Sequence, residues 1–353
     1  MGAASAKTMP YWARGLAPLL GALAVLAMLQ WIFGPMHFFV YLSSLVGVNV
    51  ILAVSLNVVN GMTGQFSIGH AGFMAVGAYL SGLFSLAVKE LNIRGLPATL
   101  SDQLLLLAAI GVGGVAAAAC GFLVGLPSLR LKGDYLAIVT LGFGEIIRVV
   151  VQNTETLGGA LGLSGIPQRS SFYMVWLWVF VTVLVARRIA GSSHGRSLWA
   201  IREDEVAAEA MGVDTTGYKV RSFVVSSFFA GVAGALFAHF VPIINPGSFT
   251  FVKSMEVVVM VVAGGLGSTT GAIVAAVCLT LLPEGMRSLF LRLGGEDASL
   301  AQKVDQIRMP IYGLLLVLLM LVRPQGLFGT REAWDVLPKW LSRRGPALKG
   351  PVA

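Results

Sequence analysis

The chain alternates long apolar runs with short stretches rich in glycine, proline and charge. Apolar runs lie near residues 15–34, 38–59, 66–88, 103–126, 134–152, 171–187, 220–240, 254–283 and 307–322. All but one are close to the length of about 20 residues that a membrane-spanning helix needs. The breaks carry the residues that end helices. The run 254–283 is too long for one upright helix, and Gly264, Gly265, Gly267 and Gly271 interrupt it. It is expected to form two short passes or one broken segment, because irregular backbone at membrane depth needs shielding by protein or a bordering cavity. The stretch Asn60-Gly61-Met62-Thr63-Gly64-Gln65 has the same character, a turn or a broken helix. One interrupted segment in each half suggests a two-half pseudo-repeat and a transport route. The expected fold is therefore an all-α polytopic membrane protein of about ten transmembrane or broken membrane helices.

Basic residues set the orientation. The segment 187–221 holds Arg187, Arg188, Arg196, Arg202, Lys219 and Arg221, and 323–353 holds Arg323, Arg331, Lys339, Arg343, Arg344 and Lys349. Short basic loops stay in the cytoplasm. Both segments, the turn with Arg130 and Lys132, and the N-terminal segment 1–14 are expected there. The loop 153–170 is expected outside. A transmembrane domain over 15–322 follows, with a cytoplasmic loop 187–221 inside it and a basic tail 323–353. No convincing cleavage site follows the first run, which reads as a retained helix. Both termini inside require an even number of passes.

Composition narrows the class. Of 353 residues, 56% are hydrophobic and 12% charged, and the mean hydropathy is +0.81; an ordinary soluble domain is about a quarter charged. A soluble enzyme, a disordered chain and a nucleic-acid-binding domain are excluded. The net charge of +8 belongs to the cytoplasmic loops. Cys120 and Cys278 both lie inside apolar runs, so no disulfide framework is expected. The 43 glycines suit close helix contact, with Gly121/Gly125, Gly267/Gly271 and Gly231/Gly234 as candidate pairs.

The loop 187–221 is the most informative stretch. Glu203, Asp204 and Glu205 precede Val206, Ala207, Ala208, Glu209, Ala210 and Met211, and Gly212 follows. Acidic residues favour a helix start and glycine a helix end. A short surface helix results, which docks on a soluble partner or is simply a solvated loop helix. Within the apolar runs, Glu145 and Arg148 stand one helical turn apart and can pair; they either fix helix packing or line a pathway. Gln65, Ser67 and His70 line a route or satisfy the backbone of the break. Glu256 caps the broken region or faces the pathway. Asn57 and Asn60 bridge neighbouring helices. No phosphate-binding loop, metal-ligand spacing or nucleophile elbow occurs, since Gly264–Gly271 lacks the required lysine. The chain is not expected to be an enzyme or to hold a metal or cofactor, and nucleotide-driven work needs another chain.

Six blocks, in order, carry a resemblance: Gly61–Gly72, Thr140–Arg148, Gly162–Pro167, Ile201–Gly212, Glu256–Gly267 and Arg323–Gly329. Over roughly 40–330 the chain resembles LivM-type permeases, membrane subunits of bacterial ABC importers for branched-chain amino acids. The resemblance implies an inner-membrane subunit that works with a LivH-like second permease, two cytoplasmic ATPases and an extracytoplasmic amino-acid-binding protein. ATP and Mg²⁺ would reside in the ATPases. It places the ATPase-coupling helix within about 197–217, on Arg202, Glu203, Asp204, Glu205, Ala207, Ala208, Glu209 and Gly212. The loop 155–163 departs from the family pattern at Ala160 and Leu161, which weakens any inference on substrate. Urea or another small polar amide within the same class, and an ion-gradient-driven transporter relying on Glu145, are the alternatives. Substrate preference is expected to reside in the binding protein, since no dedicated pocket is apparent in the sequence.

Overall fold

The computed structural model describes residues 37–89, 98–128 and 134–294, together with 310, 313–314, 326–329 and 332. The expected crossing at 15–34, nearly all of that at 307–322, the turn with Arg130 and Lys132 and most of the basic tail lie outside the described residues. Ten α-helices are described: α1 His37–Asn57, α2 His70–Ala87, α3 Ala98–Ser128, α4 Asp134–Asn153, α5 Phe172–Ala190, α6 Ser193–Glu203, α7 Glu205–Ala210, α8 Thr215–Ala238, α9 Phe251–Gly264 and α10 Thr269–Gly294. Seven spans among them are long and apolar enough to cross a membrane, by length and composition. The expected all-helical membrane architecture is borne out. Of the expected ten passes, two depend on runs largely outside the described residues.

Both expected interruptions are present. α1 widens into a π-helical turn over Val58–Met62, and the chain then runs without helix to His70. The helix within 66–88 therefore begins four residues later than the apolar pattern suggests. Asn60 explains the delay, because its side chain accepts from Ser67 N–H (3.2 Å) and its amide donates to Ser67 O (3.4 Å). The run 254–283 divides at Gly265–Ser268 into α9 and α10. At 14 residues, α9 is roughly 21 Å long, short of the ~30 Å hydrocarbon core, and is a half-helix.

α1 lies at the centre and packs on α5, α8, α9 and α10. Around it, α2, α3 and α8 form the closest contacts of the bundle. Glycine makes this possible: a Cβ on Gly77 of α2 would strike the Gly231 backbone of α8, and one on Gly234 would strike the Met74 carbonyl. The expected pair Gly231/Gly234 thus sits at a helix contact, and Gly121 meets Ser227 in the same way. Such small residues let apolar helices gain dispersion contact where lipid removes the hydrophobic drive. α4 is the least enclosed of the seven spans.

The two ends of the bundle differ. At one, here the strand end, β1 (Leu163–Ser164) pairs antiparallel with β2 (Ile243–Ile244), Tyr79 donates to Ile244 O (3.1 Å), and Arg169 pairs with Asp102 (2.9 Å). This pairing inside the loop 153–170 has no signal in the sequence. At the other, the loop end, α6 lies beneath the C-terminal turns of α1 and the α9–α10 break, and α7 packs beside it against α8. Gly77→Val is expected to destabilise the protein by about 3 kcal/mol or more through overpacking, seen as loss of monodisperse protein in detergent. Gly111→Ala, whose Cβ meets nothing within 4 Å, is expected to leave the melting temperature unchanged.

Candidate functional site

Two broken helices expose backbone groups that would otherwise be orphaned, and their partners converge on one junction at the loop end. Asn57 Oδ1 accepts from Gly267 N–H (2.8 Å), tying the end of α1 to the α9–α10 break. The Arg202 guanidinium, from α6, donates to Gly61 O (2.6 Å) and to Leu266 O (3.3 Å). It also lies over the Trp199 ring, 5.2 Å from its centroid. The Trp199 ring in turn fills the space a Cβ on Gly267 would need, and Gly267 holds φ +92°; only glycine suits both demands. From far along the chain, Leu327 N–H donates to Ala263 O (2.9 Å) and Phe328 N–H to Gly264 O (3.2 Å). Glu332 accepts from Thr269 N–H (2.8 Å) and Thr270 N–H (2.9 Å), capping α10. Leu327, Phe328 and Glu332 thus close the break.

The expected single surface helix is in fact two. Glu203 ends α6, and Asp204 is the cap between them, its Oδ1 accepting from Val206 N–H (2.9 Å) and Ala207 N–H (3.0 Å). An acidic side chain at that point turns the chain because it competes for the N–H groups that would continue α6. Glu205 opens α7 and pairs with Lys219 of α8 (2.6 Å), whose side chain is 7% exposed. Glu209 accepts from Thr215 Oγ1 (2.7 Å). Gly212, at φ +83°, ends α7 in a Schellman arrangement, with Val213 N–H donating to Ala208 O (3.0 Å) and Gly212 N–H to Glu209 O (2.9 Å). Ala208 faces inward while Ala207 is exposed, and Val206 (67%) and Met211 (84%) stand out from the surface.

Glu145 and Arg148 pair as the spacing predicts, Nε to Oε2 at 2.7 Å, with side chains about a third exposed (35% and 28%). Glu145 Oε1 also accepts from Phe251 N–H (3.3 Å) and so meets the N-terminus of the half-helix α9. Gln65, Ser67 and His70 do not converge as a cluster. Thr63 Oγ1 donates to Gln65 (3.3 Å), Ser67 is held by Asn60, and His70 Nε2 bonds Ser55 Oγ (2.9 Å). Of the three, only Ser67, through its backbone, is tied to Asn60 of the break, while His70 reaches back to Ser55 within α1.

Glu256, 5% exposed, lies 3.3 Å from Lys253 Nζ. Lys253 donates to Asn49 Oδ1 (2.9 Å), and Asn49 donates to Thr280 Oγ1 (2.9 Å), so a polar chain crosses α9, α1 and α10. Beside it is a cavity of about 480 Å³, with Leu45, Val48 and Val252 among its walls. The sequence gives no sign of this cavity. Lys253 marks the edge of the apolar run 254–283, Thr280 lies singly near the far end of that run, and Asn49 lies singly within 38–59. Trp199, Lys219 and Glu332 were likewise missed, Glu332 because its partners are 62 and 63 residues away. Among the described residues, no group of His, Cys, Asp and Glu is placed to hold a metal ion.

A bundle with broken helices, a half-helix set against paired charges, and a polar junction beneath it defines a membrane permease. The chain belongs to the family described as the branched-chain amino acid transport system permease component, whose model matches residues 38–322. It is 36% identical over 343 residues to the high-affinity branched-chain amino acid transport permease LivM of Escherichia coli K12, covering 87% of this chain and 74% of that protein. It is 26% identical over 317 residues to the probable LivM of Methanocaldococcus jannaschii (80% and 90% covered), and 25% identical over 307 residues to LivH of Salmonella typhimurium (81% and 92% covered). No solved structure matches it. The protein is a multi-pass membrane transport subunit and not an enzyme.

Arg202→Ala is expected to loosen both breaks together, since charge-assisted bonds of this kind are each worth about 1.5–3 kcal/mol. Hydrogen exchange should rise at Gly61–Gln65 and at Gly265–Ser268. Arg202→Lys is expected to restore only part of the protection, because an ammonium can donate to both carbonyls but loses the planar stack of the guanidinium on Trp199.

Proposed function

We propose that the chain is the LivM-like permease subunit of an ATP-driven importer for branched-chain, apolar amino acids. It works with a LivH-like second permease, two cytoplasmic ATPases that bind ATP and Mg²⁺, and an extracytoplasmic binding protein that delivers the cargo. In this reading the loop end, which gathers Arg187, Arg188, Arg196, Arg202, Lys219 and Arg221, is cytoplasmic. The strand end is outside, and both termini are cytoplasmic.

The observation that carries the mechanism is the connection through α6 and α7. Val206 and Met211 stand exposed on the loop surface, as apolar knobs for a groove on an ATPase, with Glu203, Asp204 and Glu209 around them. One helix away, Arg202 and Trp199 grip both helix breaks. Displacement of α7 by a closing ATPase dimer pulls on Asp204, tilts α6, and shifts the junction where α1, α9 and α10 meet. Breaks are where such motion costs least, because few helical bonds need rupture there. The Lys219–Glu205 pair keeps α7 and α8 moving together.

The Glu145–Arg148 pair supports a second permease. It lies midway along a span with about a third of its side-chain surface uncovered, and lipid is a costly neighbour for charge. The outward face of α4, which carries Ile138, Ile146 and Val149, therefore meets the partner permease or water held between the two.

Reconstitution of the full complex in proteoliposomes tests this reading. Leucine, isoleucine and valine uptake is expected to need ATP and the binding protein, with urea not carried and a collapsed ion gradient without effect. Met211→Asp is expected to lower uptake and binding-protein-stimulated ATP hydrolysis together, at least tenfold. Arg202→Ala should lower uptake at least tenfold while hydrolysis persists. Normal uptake in both variants would contradict the coupling route.

A further inference from the structure

Charge placement around the half-helix α9 points to more than helix packing. Lys253 lies in the first turn of α9, where the positive end of the helix makes a cation unfavourable. Its side chain is 17% exposed and that of Glu256 is 5% exposed, at the level of Asn49, about halfway along the Phe38–Met62 span. Stability alone gives no reason to bring both charges to this depth. Lysine has three N–H donors, and Asn49 and Glu256 occupy two of them. The third remains for an anionic group.

The adjoining cavity supplies the rest of a recognition site. Its volume of about 480 Å³ falls within the ~300–1,000 Å³ of small-molecule pockets. Its lining combines charged and polar side chains, Lys253, Glu256, Glu284 and Asn49, with the aliphatic Leu45, Val48 and Val252. Ser248 and Phe237, close to the strand end, border it as well, so it faces the side from which cargo arrives in the import reading. A purely structural staple between α9, α1 and α10 would have no use for open space beside its charges.

We propose that this cavity is a transient binding site for a free zwitterionic amino acid. Lys253 and the N-terminus of α9 receive the carboxylate, Glu256 receives the ammonium, and Leu45, Val48 and Val252 receive an aliphatic side chain. The ligand would insert between Lys253 and Glu256 and replace their mutual contact. Each charge then keeps a partner whether the site is full or empty. The inference rests on the import reading and assigns this chain a share in cargo recognition.

The test uses the assembled transporter in nanodiscs, without binding protein, and tritiated leucine as the probe. Saturable leucine binding is expected. Competition by 4-methylpentanoate, which lacks the ammonium, and by 3-methylbutylamine, which lacks the carboxylate, should each be at least tenfold weaker than by unlabelled leucine. Glu256→Gln should weaken leucine binding at least tenfold and narrow the gap to 4-methylpentanoate; Lys253→Gln should do the same for the amine. Because losing one member of a buried pair also threatens assembly, Leu45→Trp provides an arm that keeps every charge. It narrows the aliphatic wall and should shift the preference from leucine towards alanine at least tenfold. Absence of saturable binding, equal competition by the analogues, or unchanged preference in Leu45→Trp overturns the site. Uptake measured with the binding protein separates the two failures. ATP-driven leucine uptake without a site overturns the cavity alone, whereas no uptake of any branched-chain amino acid overturns the import reading and the cavity with it.

Discussion

Every backbone N–H and C=O inside a membrane bundle needs a partner from the protein itself, and a helix that stops partway across makes that requirement local and acute. Here two helices stop, and one junction meets both demands. Asn57 takes the N–H of Gly267, Arg202 takes the carbonyls of Gly61 and Leu266, and Leu327, Phe328 and Glu332 cap the remaining turns. The arrangement of α1, α6, α9 and α10 follows from it. α9 can be short only because its C-terminal carbonyls are received from outside the helix. Trp199 can seal the joint only because Gly267 has no side chain.

Rigid and yielding parts are segregated in the bundle. On one side, α2, α3 and α8 approach to backbone contact through Gly77, Gly231 and Gly234, a geometry without slack. On the other, α9 is held at its N-terminus by Glu145, along its length by Lys253 and Asn49, and at its C-terminus by Arg202 and the 326–328 strip. These are polar contacts, which can exchange partners in discrete steps. A transport cycle needs both: a frame that keeps its shape and an element that can be released from one set of hydrogen bonds into another.

The apolar pattern made the helical architecture legible, because each run is a local property of the chain. The breaks were legible for the same reason, through Gly61, Gly64, Gly265 and Gly267. The Glu145–Arg148 pair could be anticipated from its one-turn spacing, but its grip on Phe251 could not. The surface helix was read as one because Glu203, Asp204 and Glu205 looked like a single acidic start; Asp204 alone turned out to be the cap, with Glu203 ending one helix and Glu205 opening the next. Glu256 stands out in the sequence, but its polar chain with Thr280, Asn49 and Lys253 is illegible there, since those three look incidental in their own segments and acquire meaning only when three helices meet.

The cap on α10 also carries a consequence for the order of events during synthesis. Glu332 follows the two N–H groups it receives by 63 and 62 residues. At ribosomal speeds of about 5–20 residues per second, that separation amounts to roughly 3–12 s. During this interval α10 is itself made, and the turn between it and α9 stays without its cap. The nascent chain must therefore wait with an open seam beside the bilayer, and the clasp that shuts it arrives only after α10 is complete.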